Sequence, residues 1–82
     1  MPRFTGSKEQ KCLQLLLREL RIEAGWTQND LANNLGESQS YVSKYESGER
    51  RLDFLEIRQL CNALGLSISQ FSKRLEAAIN ES

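Results

Sequence analysis

The sequence predicts an all-α fold: one compact domain of five helices, with a helix-turn-helix at the second and third. Three observations carry this expectation. Helix-start patterns recur along the chain, each a Ser, Thr or Asp followed three residues later by Gln, Asp or Glu. Glycines stand where four of the resulting runs should end. Between starts and stops, apolar residues recur at three- and four-residue spacing, and no stretch alternates with the period of two that a strand requires. The chain has 82 residues and one proline, Pro2, so nothing in its body interrupts a helix. Residues 1–82 therefore read as a single domain with its core over 8–79, large enough to bury a modest interior without metal or disulfide.

The first helix, over 8–24, opens on Ser7-x-x-Gln10. The serine accepts from a free backbone N–H and the glutamine reaches back, the reciprocal arrangement of a capping box. Leu13, Leu16, Leu17, Leu20 and Ala24 form one stripe along it, and Gly25 closes it. A second stripe, Cys12, Leu15 and Ile22, is surplus to that face. The second helix, 28–35, opens on Thr27-x-x-Asp30, is lined by Leu31, Ala32 and Leu35, and stops at Gly36. The third, 39–47, has Ser38 as its cap, Val42 and Tyr45 as its apolar side and Gly48 as its stop. The fourth, 54–64, opens on Asp53-x-x-Glu56 and closes at Gly65, with Ile57, Leu60, Cys61 and Leu64 inward. The fifth, 68–79, opens on Ser67-x-x-Gln70 and shows Ile68, Phe71, Leu75, Ala78 and Ile79. Apolar pairs flank three caps: Trp26 with Leu31, Leu52 with Ile57, and Leu66 with Phe71. Such staples fix the angle at which the chain enters a helix. Helices two and three are too short to persist alone in water, so packing between the longer first and fourth must hold them.

Several function classes are excluded by composition. The Leu15-Leu16-Leu17 run is far too short to span a membrane. Residues Met1 to Lys11 are polar apart from Phe4, with no apolar signal region, so a cytoplasmic protein is expected. Cys12 and Cys61 are far apart and there is no histidine. Two lone thiols fall short of a zinc site and read as small, semi-buried hydrophobes. Without histidine, a cysteine cluster or a glycine-rich phosphate loop, no enzyme, cofactor or metal is expected. Eleven basic and eleven acidic residues balance to zero, which argues against coating nucleic acid by bulk charge. Contact with phosphate must come from local arrangement.

The stretch TQNDLANNLGESQSYVSKYESG, residues 27–48, joins two short helices through a turn of about three residues around Gly36. A glycine there lets the chain reverse steeply, giving helix-turn-helix geometry in which the second helix enters a DNA major groove. The outer side of that helix carries Ser38, Gln39, Ser40 and Lys44 rather than apolar residues.

Across residues 13–75 the chain resembles the XRE family of phage-repressor-like (Cro/CI-type) DNA-binding proteins. The resemblance rests on Arg21, Ala24-Gly25, Thr27-Gln28, Leu31-Ala32, Gly36, Tyr41-Val42-Ser43-Lys44, Glu46 and Gly48. It implies a five-helix lambda-repressor-like domain that binds operator DNA, usually as a dimer. It assigns Gln28 to a phosphate, in agreement with the free N–H groups and partial positive charge at a helix start. It assigns Arg21 and Glu46 to a buried ion pair that orients the third helix.

Ser38, Gln39 and Ser40 then occupy the start of the recognition helix, where side chains reach base edges. Gln39 can make a bidentate pair with adenine, and Lys44, on the same side, reaches a guanine or a phosphate. Tyr41, Ser43, Arg50 and Arg51 are expected at the sugar-phosphate backbone. Asn29, Asn33 and Asn34 read as a solvated face and Trp26 as core, while Glu37 and Glu49 put negative charge near the same surface. The function expected is a transcriptional regulator, such as a repressor, on double-stranded DNA. The alternative is a protein-interaction or antitoxin-like adaptor on the same fold. A homodimer is expected through the fifth helix, at Phe71, Leu75 and Ala78, with the Cys12, Leu15 and Ile22 face as the second candidate.

Overall fold

Each helix begins where a side chain replaces the missing backbone partners of the first turn. In the computed structural model, which describes residues 7–82, α1 spans Lys8–Glu23, α2 Gln28–Leu35, α3 Gln39–Ser47, α4 Phe54–Leu64 and α5 Ile68–Glu81. No strand occurs among the described residues. The polar start of the chain up to Gly6, including Phe4, lies outside them. Ser7, Thr27, Ser38, Asp53 and Ser67 are all extended, and each accepts a hydrogen bond from the backbone N–H three residues on. The reciprocal arm closes a full capping box at Thr27, Asp53 and Ser67. The start of α1 carries the forward bond, from Gln10 N to Ser7 Oγ. The last helix runs two residues beyond its expected end, because Asn80-Glu81-Ser82 contains neither glycine nor proline to stop it.

The turn between α2 and α3 depends on Gly36, which sits at φ 71° and ψ 28°. That left-handed geometry lets Glu37 N reach back to Ala32 O at 2.9 Å, so the end of α2 is satisfied while the chain reverses. Gly48 performs the same stop for α3 at φ 90°, and its missing side chain also admits α1. A Cβ built there would fall 2.3 Å from Gln14 Nε2.

The core is one cluster: Leu16, Leu17 and Leu20 from α1, Leu31 and Ala32 from α2, Val42 and Tyr45 from α3, Leu60 and Cys61 from α4, and Phe71 from α5. Trp26, Leu31, Leu52, Ile57, Leu66 and Phe71, the three staple pairs, all belong to it or pack against it. Short α2 and α3 pack on each other, with α4 behind α2 and α1 behind α3, while α5 lies chiefly against α1 and α4. Burial of Cys61 pushes its thiol pKa up, which keeps it protonated and unreactive.

Three apolar assignments are corrected by the structure. Ala24, placed in the first stripe, is exposed at the end of α1. Cys12, placed on the surplus face, is buried, with Sγ 3.8 Å from Ala78 O of α5. Phe71, proposed for a dimer interface, is only 4% exposed and completes the core. Cys12 and Phe71 share a reason, since α5 packs on α1 and extends its buried face to Cys12, whereas Ala24 lies past the last residue of α1 as its cap. The surplus face shrinks to Leu15 and Ile22, which remain more than half exposed. Leu75 and Ala78 are half-buried, Leu75 packed against the core.

Candidate nucleic-acid interface

The outer start of α3 is anchored from below by a buried ion pair. Arg21 Nε donates to Glu46 Oε2 at 2.8 Å and Nη2 donates to Glu46 Oε1 at 3.0 Å. The third guanidinium nitrogen, Nη1, donates to the carbonyl of Trp26 at 2.9 Å. The two side chains are 10% and 4% exposed, so water can replace little of this bonding. The hydrogen bond to Glu46 raises the Arg21 pKa further, against the opposing effect of burial. The planar fork fixes α1, the α1–α2 turn and the last turn of α3 to one another. A lysine, with its point charge, has no equivalent geometry.

From Glu46 the bonding continues outward. Gln28 Nε2 donates to Glu46 Oε1 at 3.1 Å, and Gln28 Oε1 accepts from Gln39 Nε2 at 2.6 Å. A carboxylate can only accept, so Glu46 dictates which end of the Gln28 amide faces inward. Gln28 must then offer its oxygen to Gln39, and Gln39 must answer with its amino group. The exposed Gln39 side chain is left with its carbonyl oxygen and one N–H unused, the acceptor–donor pair that complements the edge of adenine. This bridging role of Gln28 is not visible in the sequence. Eleven residues separate it from Gln39, and only the steep turn at Gly36 brings the two amides together.

Around Gln39 the remaining candidates divide. Ser38, Ser40 and Lys44 are exposed on the same helix. Ser38 is also the cap, its Oγ accepting from Tyr41 N at 3.2 Å. Ser43 is half-buried, less accessible than the expectation of a backbone contact supposed. Asn29, Asn33 and Asn34 are exposed along α2, as is Glu37 in the turn. Glu49 is exposed and accepts from Ser47 Oγ at 3.4 Å.

Tyr41, Arg50 and Glu56 form a second constellation beside α3. The Tyr41 ring is half-buried, edge-on to Tyr45 at 5.6 Å between centroids. The Arg50 guanidinium carbon lies 4.9 Å above the Tyr41 ring. Arg50 Nη2 donates to Glu56 Oε2 at 2.5 Å, and Tyr41 Oη donates to the same oxygen at 3.4 Å. The backbone N–H of Asp53, followed by Arg50, holds the Glu56 carboxyl below its ordinary pKa. Arg51 faces elsewhere. It lines the cleft between α1 and α5 with Gln10, Leu13 and Ile79. The structure thus separates the two adjacent arginines that the sequence suggested as a pair.

Phe54 and Leu55, at the start of α4, are 64% and 68% exposed, the most exposed large apolar side chains described. Sequence reasoning missed them, although two apolar residues directly after the Asp53 cap precede the inward positions Ile57 and Leu60 and so fall outside that stripe. Among the described residues no helix is long and apolar enough to cross a membrane, and no cluster of His, Cys, Asp or Glu can hold a metal ion.

Comparison with known proteins bears on this arrangement. A family model described as helix-turn-helix matches residues 17–71. An XRE-family-like protein of Pseudomonas syringae pv. tomato is 43% identical, over 84% of either chain, with a TM-score of 0.77. The restriction-modification controller protein C.Esp1396I, as a tetramer in complex with its natural 35-base-pair operator, is 26% identical. That match covers 90% of this chain and 97% of the other, with a TM-score of 0.82. The clp gene regulator ClgR of C. glutamicum is 25% identical over 89% of this chain and 94% of its own, with a TM-score of 0.76. No curated protein matches the chain.

Proposed function

Because the chain belongs to the XRE family of helix-turn-helix proteins, we propose that it is a DNA-binding transcriptional regulator that reads an operator through the major groove with α3. It acts by occupancy, as a binding protein rather than an enzyme. The observation that carries the reading is the run of hydrogen bonds from buried Arg21 through Glu46 and Gln28 to exposed Gln39. A side chain that only met water would not need its amide orientation dictated from the core. Gln39 is the principal base reader in this proposal, with Ser38, Ser40 and Lys44 beside it, and Arg50 is the anchor to phosphate. Gln28 keeps one amide N–H for a phosphate while it steadies Gln39. Tyr41 contributes mainly by supporting Arg50, and half-buried Ser43 and outlying Arg51 are secondary.

Two copies are part of the proposal. One short helix offers few base contacts, and a chain of zero net charge gains little from non-specific attraction to DNA. Two recognition helices in successive major grooves lie about 34–36 Å apart. The described domain measures 37 × 25 × 20 Å, so two copies side by side are of a size to span one such turn. Leu75 and Ala78 of α5, half-buried at their outer edge, are one candidate interface. Exposed Phe54 and Leu55, which follow the last turn of α3 by a short loop, support a second candidate interface there.

The test is selection of bound sequences from a pool of random duplexes, followed by footprinting. A selected palindrome with half-sites one turn apart is expected. A folded protein that enriches no sequence and binds no duplex at low salt would overturn the reading in favour of a protein-binding adaptor.

A further inference from the structure

Arg50 is held as if set for a ligand, and the group that holds it has not yet been given a role. Resting on the DNA-binding reading, we propose that Glu56 is a positioning residue: it holds the Arg50 guanidinium against Tyr41, beside α3, in the posture that meets a DNA phosphate. Glu56 uses its two oxygens for separate tasks. Oε1 accepts from Asp53 N at 2.9 Å and caps α4, which fixes the carboxylate in place. Oε2 then takes one Nη2 hydrogen of Arg50 at 2.5 Å and the Tyr41 hydroxyl at 3.4 Å. Tyr41 covers one face of the guanidinium at 4.9 Å. The loop is fixed as well, since Arg50 N donates to Lys44 O at 3.2 Å.

A guanidinium has five N–H donors, and Glu56 takes one. With its side chain still 44% exposed, Arg50 keeps donors that a phosphate can reach. A free arginine would have to surrender its rotamer freedom on meeting a phosphate. Here much of that ordering is complete before DNA arrives. The competing view is that Glu56 merely neutralises Arg50 and repels phosphate, so that it opposes binding. The two views predict opposite signs.

Glu56→Gln separates them without endangering the fold. Glutamine keeps a carbonyl oxygen for Asp53 N, and α5 of this same chain is capped in that way by Gln70. With its oxygen committed there, the new amide turns N–H groups toward Arg50 and cannot hold it. Binding to a generic duplex at low salt would be measured by titration for the wild type, Glu56→Gln, Arg50→Ala and the double variant, across a salt series. The expected result is an affinity loss of about three- to tenfold for Glu56→Gln. The salt slope should fall toward that of Arg50→Ala, itself lower by about 0.9 for one lost phosphate contact. In the Arg50→Ala background, Glu56→Gln should change nothing. Tighter binding by Glu56→Gln, or an equal loss with Arg50 absent, would overturn the proposal. A folded wild type that binds no duplex would instead overturn the DNA reading itself, and the role of Glu56 with it.

Discussion

Removing the Glu46 carboxylate should damage this domain more than any other single change near the α3 surface. In Glu46→Ala the Arg21 guanidinium, 10% exposed, keeps only the Trp26 carbonyl as partner and loses both charge-assisted bonds. Stranding one member of a buried pair costs about 3–5 kcal/mol. At about 0.05–0.15 kcal/mol per residue, an 82-residue domain has on the order of 4–12 kcal/mol in total. The variant should therefore lose about a quarter or more of its stability. At about 4–8 °C per kcal/mol, its melting temperature should fall by roughly 12–40 °C. Urea denaturation and thermal melting followed by circular dichroism read this directly. The control is the double variant Arg21→Met with Glu46→Leu, which removes both charges and keeps apolar volume. It should return to within about 2 kcal/mol of the wild type. It should not regain selectivity, because Gln28 no longer has an acceptor to set the orientation of Gln39. A Glu46→Ala variant that melts within about 5 °C of the wild type would refute the burial argument. A double variant as unstable as the single would refute the stranded-charge mechanism.

Gln39→Ala should relax preference at one or two base positions at a cost of about 1–3 kcal/mol on the selected site. Competition between the selected and scrambled duplexes reads this, and equal losses on both would mean that Gln39 reads no base. Tyr45→Phe should leave stability unchanged or raise it by about 1 kcal/mol, because the buried Tyr45 hydroxyl has no hydrogen-bond partner among the described residues. A lowered urea midpoint would show that the hydroxyl is satisfied. The same residue gives a pH dependence. Burial raises the Tyr45 pKa in the folded chain above its unfolded value near 10, so its contribution is complete below about pH 10 and is lost as pH rises beyond it. Tyr45→Phe should flatten that alkaline decline, and an unchanged slope would assign it elsewhere. Leu55→Glu, at a 68% exposed position, should leave the melting temperature near that of the wild type while sedimentation shows a monomer with weakened operator binding. A dimer indifferent to it would move the interface to another face.

By itself the sequence determined the elements and their order. Capping side chains act on backbone groups three residues away and glycines act on their own φ, so both signals are local and were legible as such. All five helix starts and the glycine stops followed from them, and the inward stripes of α2, α3 and α4 followed from spacing alone. Membership of the family was also legible, because its pattern of residues is written along the chain.

What only the tertiary structure decided is which faces remain free and which polar groups meet. Cys12 and Phe71 changed places because the packing of α5 on α1 sets how wide the buried face is, and no periodicity within one helix reports that. Gln28 and Gln39 are eleven residues apart, Arg21 and Glu46 twenty-five, and Arg50 bonds forward to the cap of the next helix. Hydrogen bonds have a reach of about 3 Å. Partners so far apart in sequence are therefore specified by the turn at Gly36 and the packing of α1 behind α3, not by their own neighbours. For the same reason Arg50 and Arg51, adjacent in the chain, point to different surfaces. One meets a carboxylate fixed by α4, and the other lies along the cleft between α1 and α5.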